Sequence, residues 1–417
     1  MIRDPRLTTE DQAMLRGELG EARAMAMRIL VCMARATGAE RMTDISGAHI
    51  DGTLYLGEAS LDFAGRLRDL GGRVVVPTTL NVSSLDLLHP ELFQGDDRTR
   101  KGARATASAY LDMGASPTWT CAPYQLASRP GFGERVAWGE SNAIVFANSV
   151  LGARTPRFGD FADIAAAITG RAPEFGLYLD EHRRAGVHFD VSPTVQAPPL
   201  TEEFFAVLGI LIGRESGSEV PVITGIESAD EDHLKVLGAA AATSGAVGLF
   251  HMVGVTPEAP SLASVAPDQT NLRRVTITGK VMKQAYRSLS SIETTTLHTV
   301  NLGTPHYSTH QITRLKNLLG GRRIHPEVKL YVNTGRDTLV ALSEVIETLE
   351  EVGVTFVTDT CTYVTSIIPS GGVAMTDSAK WAYYAPGNLG VAVVFGSTAD
   401  CVESAVAGRI IKAEPDW

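Results

Sequence analysis

Short apolar runs alternate with longer segments of helical spacing through the C-terminal part of the chain. The stretch from Val328 to Cys361 reads as one complete strand–helix–strand unit. Short apolar runs bounded by turn residues are typical of buried strands, and helix-length segments between them are typical of right-handed crossovers. The pattern therefore predicts a mostly parallel α/β arrangement whose strands are VTITG, TTTLHTVNLG, VKLYVN, VTFVTDT and VAVVFGS.

The N-terminal part of the chain mixes helical segments with shorter apolar runs. Residues 9–37 are rich in Ala, Met, Leu, Glu and Arg, and they predict one helix that stops at Gly38. A strand that runs into a turn is predicted from Arg73 to Asn81. Helices are predicted for ESNAIVFANSVLGART, FADIAAAITG and TEEFFAVLGILIG, and buried strands for PVITGI and AVGLFHMVGV.

Two proline-containing stretches divide the chain. Residues 187–200 predict a connector, and VTPEAPSLASVAPDQTN predicts a second linker that ends near residue 270. A chain of 417 residues is too long for one hydrophobic core. We therefore expect an N-terminal α/β region over residues 1–270 and a C-terminal α/β domain over residues 271–417. If the N-terminal region consists of two domains, we expect the connector near residues 187–200 to separate them.

Composition excludes several classes of function. The net charge is −10, with 47 acidic against 37 basic side chains, and no long basic run offers a surface to nucleic acid. The N-terminal sequence is too polar for a secretory signal, and the apolar stretches are too short to span a bilayer. Four cysteines in a chain of this length do not form a disulfide framework, so we expect a reduced, cytoplasmic protein.

The four cysteines fall in different predicted environments. Cys361 directly follows the strand VTFVTDT, at the carboxyl end where open α/β sheets bind their ligands. Cys401 follows the predicted N-cap Ser397, so it is expected in a first helical turn, where a thiol pKa is lowered. Cys121 lies in the loop-like stretch TWTCAPYQ. Cys32 is flanked by apolar helical residues and is expected in the core.

Three strand ends in the C-terminal half carry polar groups. These are Thr304, His306 and Ser308 in NLGTPHYS, then Cys361 and Cys401. Because parallel strands point the same way, we expect these ends to cluster at one edge of a sheet. Two thiolates meeting there are suitable ligands for iron or zinc. The alternative is that Cys401 only packs beneath its helix.

Two glycine-containing segments suggest places where the backbone approaches a ligand. The stretch Ser370–Gly387 contains a glycine pair, hydroxyl residues and Lys380, and its backbone amides suit a carboxylate or phosphate. A solvated turn with a surface lysine is the alternative. His49 stands in SGAHIDG, between Gly47 and Gly52, either as a functional group or as a buried structural histidine.

The segment Trp119–Asp160 is rich in polar side chains that an Ala-rich scaffold does not require. Glu140, Ser141 and Asn142 begin a predicted helix, so helix capping is the alternative to a functional role for each. Arg154 is suited to a bidentate bond with a substrate carboxylate. Its alternative use is a structural salt bridge to Asp160.

Nine motifs together resemble the large subunit of aconitase X, a remote branch of the aconitase superfamily. The resemblance runs from about residue 38 to residue 410, and a string such as GASPTWTCAPYQ is highly specific. The motifs are SGAHIDG, VPTTLN, MGASPTWTCAPYQL, GESNAIVFANSVLGART, GVTPEA, PHYS, DTC, TDSAK and DCVESAVAG.

The resemblance implies an aconitase-like core of α/β/α domains without the swivelling small domain. It also implies a hydro-lyase that carries an iron–sulfur cluster and acts on a small hydroxy acid or amino acid. Two activities are associated with the family: dehydration of cis-3-hydroxy-L-proline to a pyrroline-2-carboxylate, and dehydration of 5-phosphomevalonate. Since no segment is left for the swivelling domain, we expect a separate small subunit that completes the active site.

One departure from the family pattern concerns the cluster. Family members often have Gly-Cys-Pro-His where this chain has Gly303, Thr304, Pro305 and His306. A hydroxyl binds iron less well than a thiolate, so a full three-thiolate cluster that uses this position is excluded. The thiols that the resemblance leaves as ligands are Cys121, Cys361 and Cys401. We expect a two-iron cluster or a single iron; the alternatives are structural zinc, or a lost cluster in a non-catalytic homologue that binds a small acid.

The resemblance and the chemistry of dehydration also suggest active-site residues. A base must remove the proton next to the carboxylate, and His49 is the candidate in this chain, although the small subunit is an equal source. Lys380 is expected in the active site, where its ammonium recognises a carboxylate. The further candidates for substrate binding are Ser141, Asn142, Arg154, Thr78, Asn81 and Ser378. No additional basic pocket for a phosphate is evident, which favours hydroxyproline as the substrate.

Overall fold

The computed structural model describes residues 4–195 and 200–417. They form two compact units, one of residues up to Leu85 together with Asp96–Arg184, and one of Asp86–Gly95 together with Ala185–Trp417. The boundary expected near residue 270 stays a prediction. The expected connector begins with a strand, and its residues 196–199 lie outside the described part. Within the described ranges, no helix has the length and apolarity that a bilayer-spanning segment needs.

The first unit contains a small parallel sheet and an antiparallel strand pair. Its helices are α1 (Thr9–Leu15), α2 (Glu21–Thr37), α3 (Glu58–Asp69), α4 (Asp97–Asp112), α5 (Ser141–Ser149) and α6 (Ala162–Thr169). Its strands are β1 (Met42–Asp44), β2 (Gly47–Ile50), β3 (Thr78–Leu80), β4 (Val136–Trp138) and β5 (Arg171–Pro173). The parallel sheet has the order β3-β2-β4, and β1 pairs with β5 in the antiparallel direction.

Two predictions about the first helical segment are wrong. It forms two helices rather than one, because Gly17 and Gly20 adopt φ angles of +79° and +102° that interrupt the helix. Gly38 ends α2 in the left-handed conformation, as expected. Cys32 is exposed rather than in the core, since the buried face of α2 is carried by its neighbours, such as Leu30 and Val31.

The second unit contains two parallel sheets. Its helices are α7 (Glu202–Ser216), α8 (Glu231–Ser244), α9 (Leu262–Val265), α10 (Gly279–Ser288), α11 (Thr309–Leu319), α12 (Arg336–Ala341), α13 (Ser343–Glu351), α14 (Ala379–Leu389) and α15 (Thr398–Ala407). Its strands are β6 (Ala185–Asp190), β7 (Val220–Thr224), β8 (His251–Met252), β9 (Arg273–Thr276), β10 (Thr299–Tyr307), β11 (Lys329–Thr334), β12 (Val354–Val357), β13 (Val373–Thr376) and β14 (Ala392–Phe395).

The C-terminal alternation of strands and helices is confirmed, with two corrections. The sheets have the orders β8-β7-β6-β9 and β12-β11-β10-β13-β14, and all pairs are parallel. Of the expected strand VTITG, only Val275 and Thr276 lie in a strand, as the end of β9, and β9 pairs with β6 in the four-stranded sheet. Its place in the five-stranded sheet is taken by β13, which lies in the glycine-containing stretch Ser370–Gly387, where no strand was expected.

The strand order of the five-stranded sheet indicates which of its edges is suited to bind a ligand. The chain leaves the central strand β10 towards β11 and β12, and later fills the other side with β13 and β14. Ligands of open α/β sheets bind outside the carboxyl ends of the strands at such a change of direction. The apolar positions of these strands form the core, including Val300, Leu330, Phe356 and Val394. The core therefore holds the carboxyl ends of β10 and β12 in a fixed relation.

Candidate functional site

Cys361 lies in a loop whose residues are all buried although nearly all are polar. The loop Thr358–Thr362 directly follows β12, and none of its residues is more than 1% exposed. Asp359 adopts a φ of +59°, a left-handed conformation that is uncommon for a residue other than glycine. A buried polar loop is costly unless its groups are bonded. The placement of Cys361 at a strand's carboxyl end is as expected from the sequence.

His306 faces Cys361 from the end of β10. Its Nε2 lies 3.9 Å from the Sγ of Cys361, and both residues are buried. Typical metal bonds of about 2.3 Å to sulfur and about 2.1 Å to imidazole nitrogen place two tetrahedral ligands roughly 3.6 Å apart. The two atoms are therefore spaced as ligands of one metal ion would be. The sequence pointed to His306 only as a polar group at a strand end, not as a ligand.

The far end of the Cys361 loop is fixed by Asn333 of β11. Its Oδ1 accepts a hydrogen bond from the Thr362 amide at 3.1 Å, and its Nδ2 donates to the Leu302 carbonyl at 2.8 Å. The indole Nε1 of Trp381 donates to Thr362 Oγ1 at 3.0 Å. These bonds tie the loop to β10, β11 and α14. The position of the Cys361 sulfur is therefore set by buried hydrogen bonds as well as by the strand.

Thr304 places a buried hydroxyl on the same strand as His306. It is 5% exposed, and its Oγ1 has no hydrogen-bond partner among the described residues. The Thr304–Pro305 peptide bond is cis. The Oγ of Ser378 donates to the Thr304 carbonyl. An unpaired buried hydroxyl, a thiol and an imidazole are a donor set that fits iron, so the residues present are compatible with the metal that the resemblance implies.

Ser378 and Lys380 begin α14, after β13. Ser378 is the N-cap, and its Oγ accepts from the Trp381 amide at 3.1 Å. Lys380 is 4% exposed, and its ammonium lies 5.9 Å from the ring centre of Tyr363. Lys380 is therefore a buried side chain and not the surface lysine of a solvated turn. Substrate contacts of Ser378 and Lys380 stay predictions.

Cys401 lies in the hydrophobic core rather than at a reactive position. Ser397 is the N-cap of α15, as predicted. The Cys401 side chain is fully buried among the apolar residues that pack on the five-stranded sheet. Burial, and then the charges of Asp377 and Asp400, raise the pKa of the Cys401 thiol. The expected lowering of this pKa is wrong, because burial outweighs the helix N-terminus. A metal-binding role for Cys401 stays a prediction that this packing does not favour.

In the first unit, a buried network extends from Cys121 to Asn142 and Glu140. Cys121 is 2% exposed. The Nδ2 of Asn142 donates to the Cys121 carbonyl at 3.0 Å and to Glu140 Oε1 at 2.6 Å. The Oδ1 of Asn142 accepts from the Tyr124 hydroxyl at 2.8 Å. Asn142 therefore positions the backbone of Cys121, and its amide is committed to protein groups.

The network continues along the carboxyl ends of the parallel strands β3, β2 and β4. These ends carry Asn81, Asp51 and Glu140 respectively. The Nδ2 of Asn81 donates to Asp51 Oδ1 and, at 3.0 Å, to Glu140 Oε2. The Asn81 Oδ1 has no partner among the described residues. The structure thus brings together Asn81, Asn142 and Cys121, which the sequence had proposed for the site from separate motifs.

Two acidic side chains of this network, Asp51 and Asp163, were missed by the sequence reasoning. The Asp51 amide donates to Asp163 Oδ2 at 2.6 Å. Burial raises the pKa of Asp163 to about 7, and burial together with the charges of Glu140, Asp160 and Asp163 raises that of Asp51. Perturbed carboxyl groups of this kind cluster at functional sites. The signal for Asp51 was present in SGAHIDG, since Asp51 directly follows a strand as Cys361 does.

His49 is a buried, neutral imidazole on β2. Its Nδ1 lies 2.8 Å from Thr79 Oγ1, and its Nε2 has no partner in the described part of the chain. Burial lowers the pKa of His49 to about 3, although the charge of Glu140 opposes this change. An imidazole with this pKa is a weak base at neutral pH. The geometry therefore supports the structural alternative better than the catalytic one.

The remaining sequence candidates of the first unit make local bonds. Ser141 Oγ donates to Glu140 Oε1 at 3.4 Å, and Thr78 Oγ1 donates to the Val76 carbonyl at 2.8 Å. Arg154 donates to the Tyr178 carbonyl at 2.9 Å and pairs with Asp180 at 2.5 Å. Its salt bridge is thus to Asp180, and the alternative bridge to Asp160 is wrong. Substrate binding by Ser141, Thr78 and Arg154 stays a prediction.

The domain models of one family match nearly the whole chain. The description "Aconitase X first domain" matches residues 4–181, the second domain residues 185–287, and the third domain residues 297–407. A solved structure, aconitase X from Thermococcus kodakaraensis in its holo form, superposes with a TM-score of 0.85 at 31% identity. It covers 96% of this chain and all of its own.

Characterised relatives fall into two groups. Cis-3-hydroxy-L-proline dehydratase from Pseudomonas aeruginosa is 45% identical over 99% of this chain and 72% of its own length. The Hypocrea jecorina protein of the same name is 42% identical over 96% of this chain and 69% of its own. The phosphomevalonate dehydratase large subunit from Methanosarcina mazei is 33% identical over 98% of each chain.

Proposed function

Because the chain belongs to the aconitase X family, we propose that it is the large subunit of a hydro-lyase that dehydrates cis-3-hydroxy-L-proline to a pyrroline-2-carboxylate. The observation that carries this proposal is the identity of 45% over 99% of the chain with a relative of that name. Identity to the Methanosarcina mazei large subunit, named for phosphomevalonate, is lower at 33%. Phosphomevalonate is therefore the alternative substrate.

In this proposal the Cys361 and His306 pair would hold the iron, with Cys121 as a third protein ligand. The spacing of the Cys361 sulfur and the His306 nitrogen supports the pair, and the unpaired hydroxyl of Thr304 adds an oxygen donor. Cys121 enters as the thiol of the family motif TWTCAPYQ. The group is a two-iron cluster or a single iron, since Thr304 replaces the cysteine of the fuller family pattern.

The reaction removes a proton from the carbon next to the carboxylate and a hydroxide from the neighbouring carbon. Bound iron would supply a Lewis acid for the departing hydroxyl oxygen. In this proposal the buried Lys380 contacts the substrate carboxylate, and Ser378 at the start of the same helix is a further substrate contact. Burial of these groups excludes water and strengthens each charged contact.

The base comes from the small subunit in this proposal. His49 was the candidate within the chain, but its pKa of about 3 makes it a poor proton acceptor. Relatives named large subunits support the existence of a partner. The hydroxyproline dehydratases also extend beyond the part that this chain matches. We place the complex in the cytoplasm, since none of the four cysteines, all of them described, forms a disulfide.

The proposal is tested by co-expressing the chain with the adjacent short reading frame and purifying the complex without oxygen. Formation of the pyrroline product from cis-3-hydroxy-L-proline is then measured beside turnover of 5-phosphomevalonate. Cys361→Ser removes the proposed ligand, and Cys32→Ser is the matched control because this thiol is exposed on α2. We expect hydroxyproline turnover in the wild type and in Cys32→Ser, and none in Cys361→Ser.

Two results contradict the proposal in different ways. Turnover of phosphomevalonate without hydroxyproline would assign the chain to the other activity of the family. Full hydroxyproline turnover by Cys361→Ser would keep the substrate and remove Cys361 from the mechanism.

A further inference from the structure

A short segment of the N-terminal sequence lies on the loop that carries Cys361. We call this segment, Asp86–Gly95, the strap. It belongs to the second unit, although the chain before and after it belongs to the first. At its end, the Gln94 amide donates to the Ser366 carbonyl at 2.7 Å, and its Nε2 donates to the Ile367 carbonyl at 2.9 Å. The strap therefore binds the chain just after the Cys361 loop.

The other end of the strap binds the beginning of the Cys361 loop through Asp86. This carboxylate is 1% exposed, and its Oδ2 accepts from the Thr358 amide at 2.8 Å. Its Oδ1 accepts from the Thr358 hydroxyl at 3.2 Å and from the His89 amide at 2.8 Å. His89 Nδ1 lies 3.1 Å from Oδ2. One buried carboxylate thus joins the strap to the first residue of the loop.

Asp86 is held in its ionised form despite burial. Burial alone would raise its pKa, but hydrogen bonds from the His89 ring and the Thr358 amide outweigh burial and lower the pKa of Asp86. A charged acceptor forms stronger hydrogen bonds than a neutral one. The bonds to Thr358 are therefore strong, and their loss would leave buried donors without an acceptor.

Asp359, the next residue of the Cys361 loop, is also bonded by the strap. Asp359 has a φ of +59°, which costs free energy unless the surroundings hold it. Arg336 donates two hydrogen bonds to its carboxylate at 2.7 and 2.6 Å, and the Leu87 amide of the strap donates a third at 3.2 Å. The strap thus supports both Thr358 and Asp359, two of the three residues that precede Cys361.

We propose that Asp86 is a positioning residue for the metal site, which holds the Cys361 sulfur in place for binding by fixing the start of its loop. This inference rests on the proposed role of Cys361 as a metal ligand. With Thr358 fixed by Asp86 and Thr362 fixed by Asn333, the loop is held on both sides of Cys361. A ligand that is already in place does not lose conformational freedom when the metal binds. Groups that orient metal ligands contribute about 10- to 100-fold to metal affinity.

The test compares metal binding by the full-length wild-type chain and by Asp86→Asn. Asparagine has the size of aspartate but no charge, and its amide N–H group would face the N–H and O–H donors that bond Asp86. Each metal-free protein is titrated with Co²⁺ without oxygen, and the thiolate-to-cobalt absorption reports binding at the cysteine. We expect Asp86→Asn to bind Co²⁺ about 10- to 100-fold more weakly, with a changed absorption spectrum.

A control variant separates positioning from general loss of stability. Ser404→Ala removes a buried hydroxyl of α15 that bonds Ile411, so it lowers the melting temperature at a place not bonded to the loop. We expect its Co²⁺ affinity to equal that of the wild type. If Asp86→Asn does not fold, His89→Gln, which removes one partner of Asp86, is expected to weaken Co²⁺ binding by a smaller factor.

The outcomes distinguish this inference from the proposed function. Wild-type affinity in both strap variants would overturn the positioning role. The positioning role would also be overturned if Ser404→Ala and Asp86→Asn had equal melting temperatures and weakened Co²⁺ binding by the same factor. Equal Co²⁺ spectra for the wild type and Cys361→Ser would instead exclude Cys361 as a metal ligand and so overturn the premise of this inference, whereas the hydroxyproline assay tests the proposed substrate separately.

Discussion

Replacing Gly303 with alanine tests how tightly the strand that carries His306 is packed against its neighbour. Gly303 has a φ of +82°, and a Cβ at this position would lie 2.1 Å from the carbonyl oxygen of Asn333 on β11. The left-handed conformation costs a residue with a side chain about 1–2 kcal/mol. Overpacking a well-filled core costs a further 1–3 kcal/mol or so. The sum is roughly 2–5 kcal/mol.

Gly320→Ala is the matched control for the conformational part of this cost. Gly320 has a φ of +57° at the end of α11, but an added Cβ would meet nothing closer than 3.9 Å. Both variants therefore carry the free-energy cost of the left-handed conformation, and only Gly303→Ala carries the additional cost of the steric clash with Asn333. Asn333 also bonds the Cys361 loop, so its displacement should weaken metal binding as well.

The assay is thermal unfolding of the metal-free proteins, followed by Co²⁺ titration. We expect Gly303→Ala to melt below Gly320→Ala by roughly 2–12 °C, which corresponds to about 1–3 kcal/mol in a unit of this size. We also expect weaker Co²⁺ binding by Gly303→Ala alone. Equal melting temperatures and equal affinities would refute the argument that this strand and the loop are coupled through Asn333.

Three further predictions follow from the site residues. Cys361→Ser should lose bound iron while its far-UV circular dichroism and melting temperature stay close to those of the metal-free wild type; retained iron would contradict this. Burial raises the pKa of Asp163 from 3.8 to about 7, so the folded protein favours the protonated carboxyl. The free energy of unfolding therefore gains up to ~4 kcal/mol from Asp163 below pH 4, and this gain is lost as the pH rises through 7. Asp163→Asn should therefore flatten the profile of melting temperature between pH 4 and pH 7, and an unchanged slope would argue against a buried acid. Arg154→Ala should cost roughly 1 kcal/mol of stability, because it removes one carbonyl bond and a pair with the exposed Asp180; the predicted role in substrate binding requires that it also raise KM, and an unchanged KM would contradict that role.

The sequence predicted the place of Cys361 because that prediction depends on backbone direction alone. A residue that directly follows a parallel strand must lie at the carboxyl edge of the sheet, whatever packs around it. The same rule applies to Asp51, which directly follows β2. Asp51 was not recognised because β2 is short, and a short strand has little hydrophobic pattern.

Cys401 shows what local patterns leave undetermined. Its N-cap, Ser397, was predicted correctly, and so was its position in the first turn of a helix. Its thiol pKa depends on how deeply the turn is buried, and burial is a property of the tertiary packing. The dipole of a helix end acts on an exposed thiol, whereas full burial disfavours the thiolate more strongly.

The bonds of the strap could not be predicted from the sequence at all. Asp86 and Thr358 are separated by 272 residues. Nothing in the local sequence of either residue indicates the other. The same holds for His306 and Cys361, which are separated by 55 residues. Contacts of this kind follow from the order of strands in the sheet, and the order was not fixed by the spacing of apolar runs.

Dependence of hydroxyproline turnover on bound iron tests the central claim most directly. The co-expressed complex is purified without oxygen, depleted of iron and then reconstituted in steps, with iron and pyrroline product measured at each step. We expect turnover of cis-3-hydroxy-L-proline to rise in proportion to the iron bound by the wild type, and Cys361→Ser to bind none and stay inactive. Full turnover by the iron-free wild type would contradict the account.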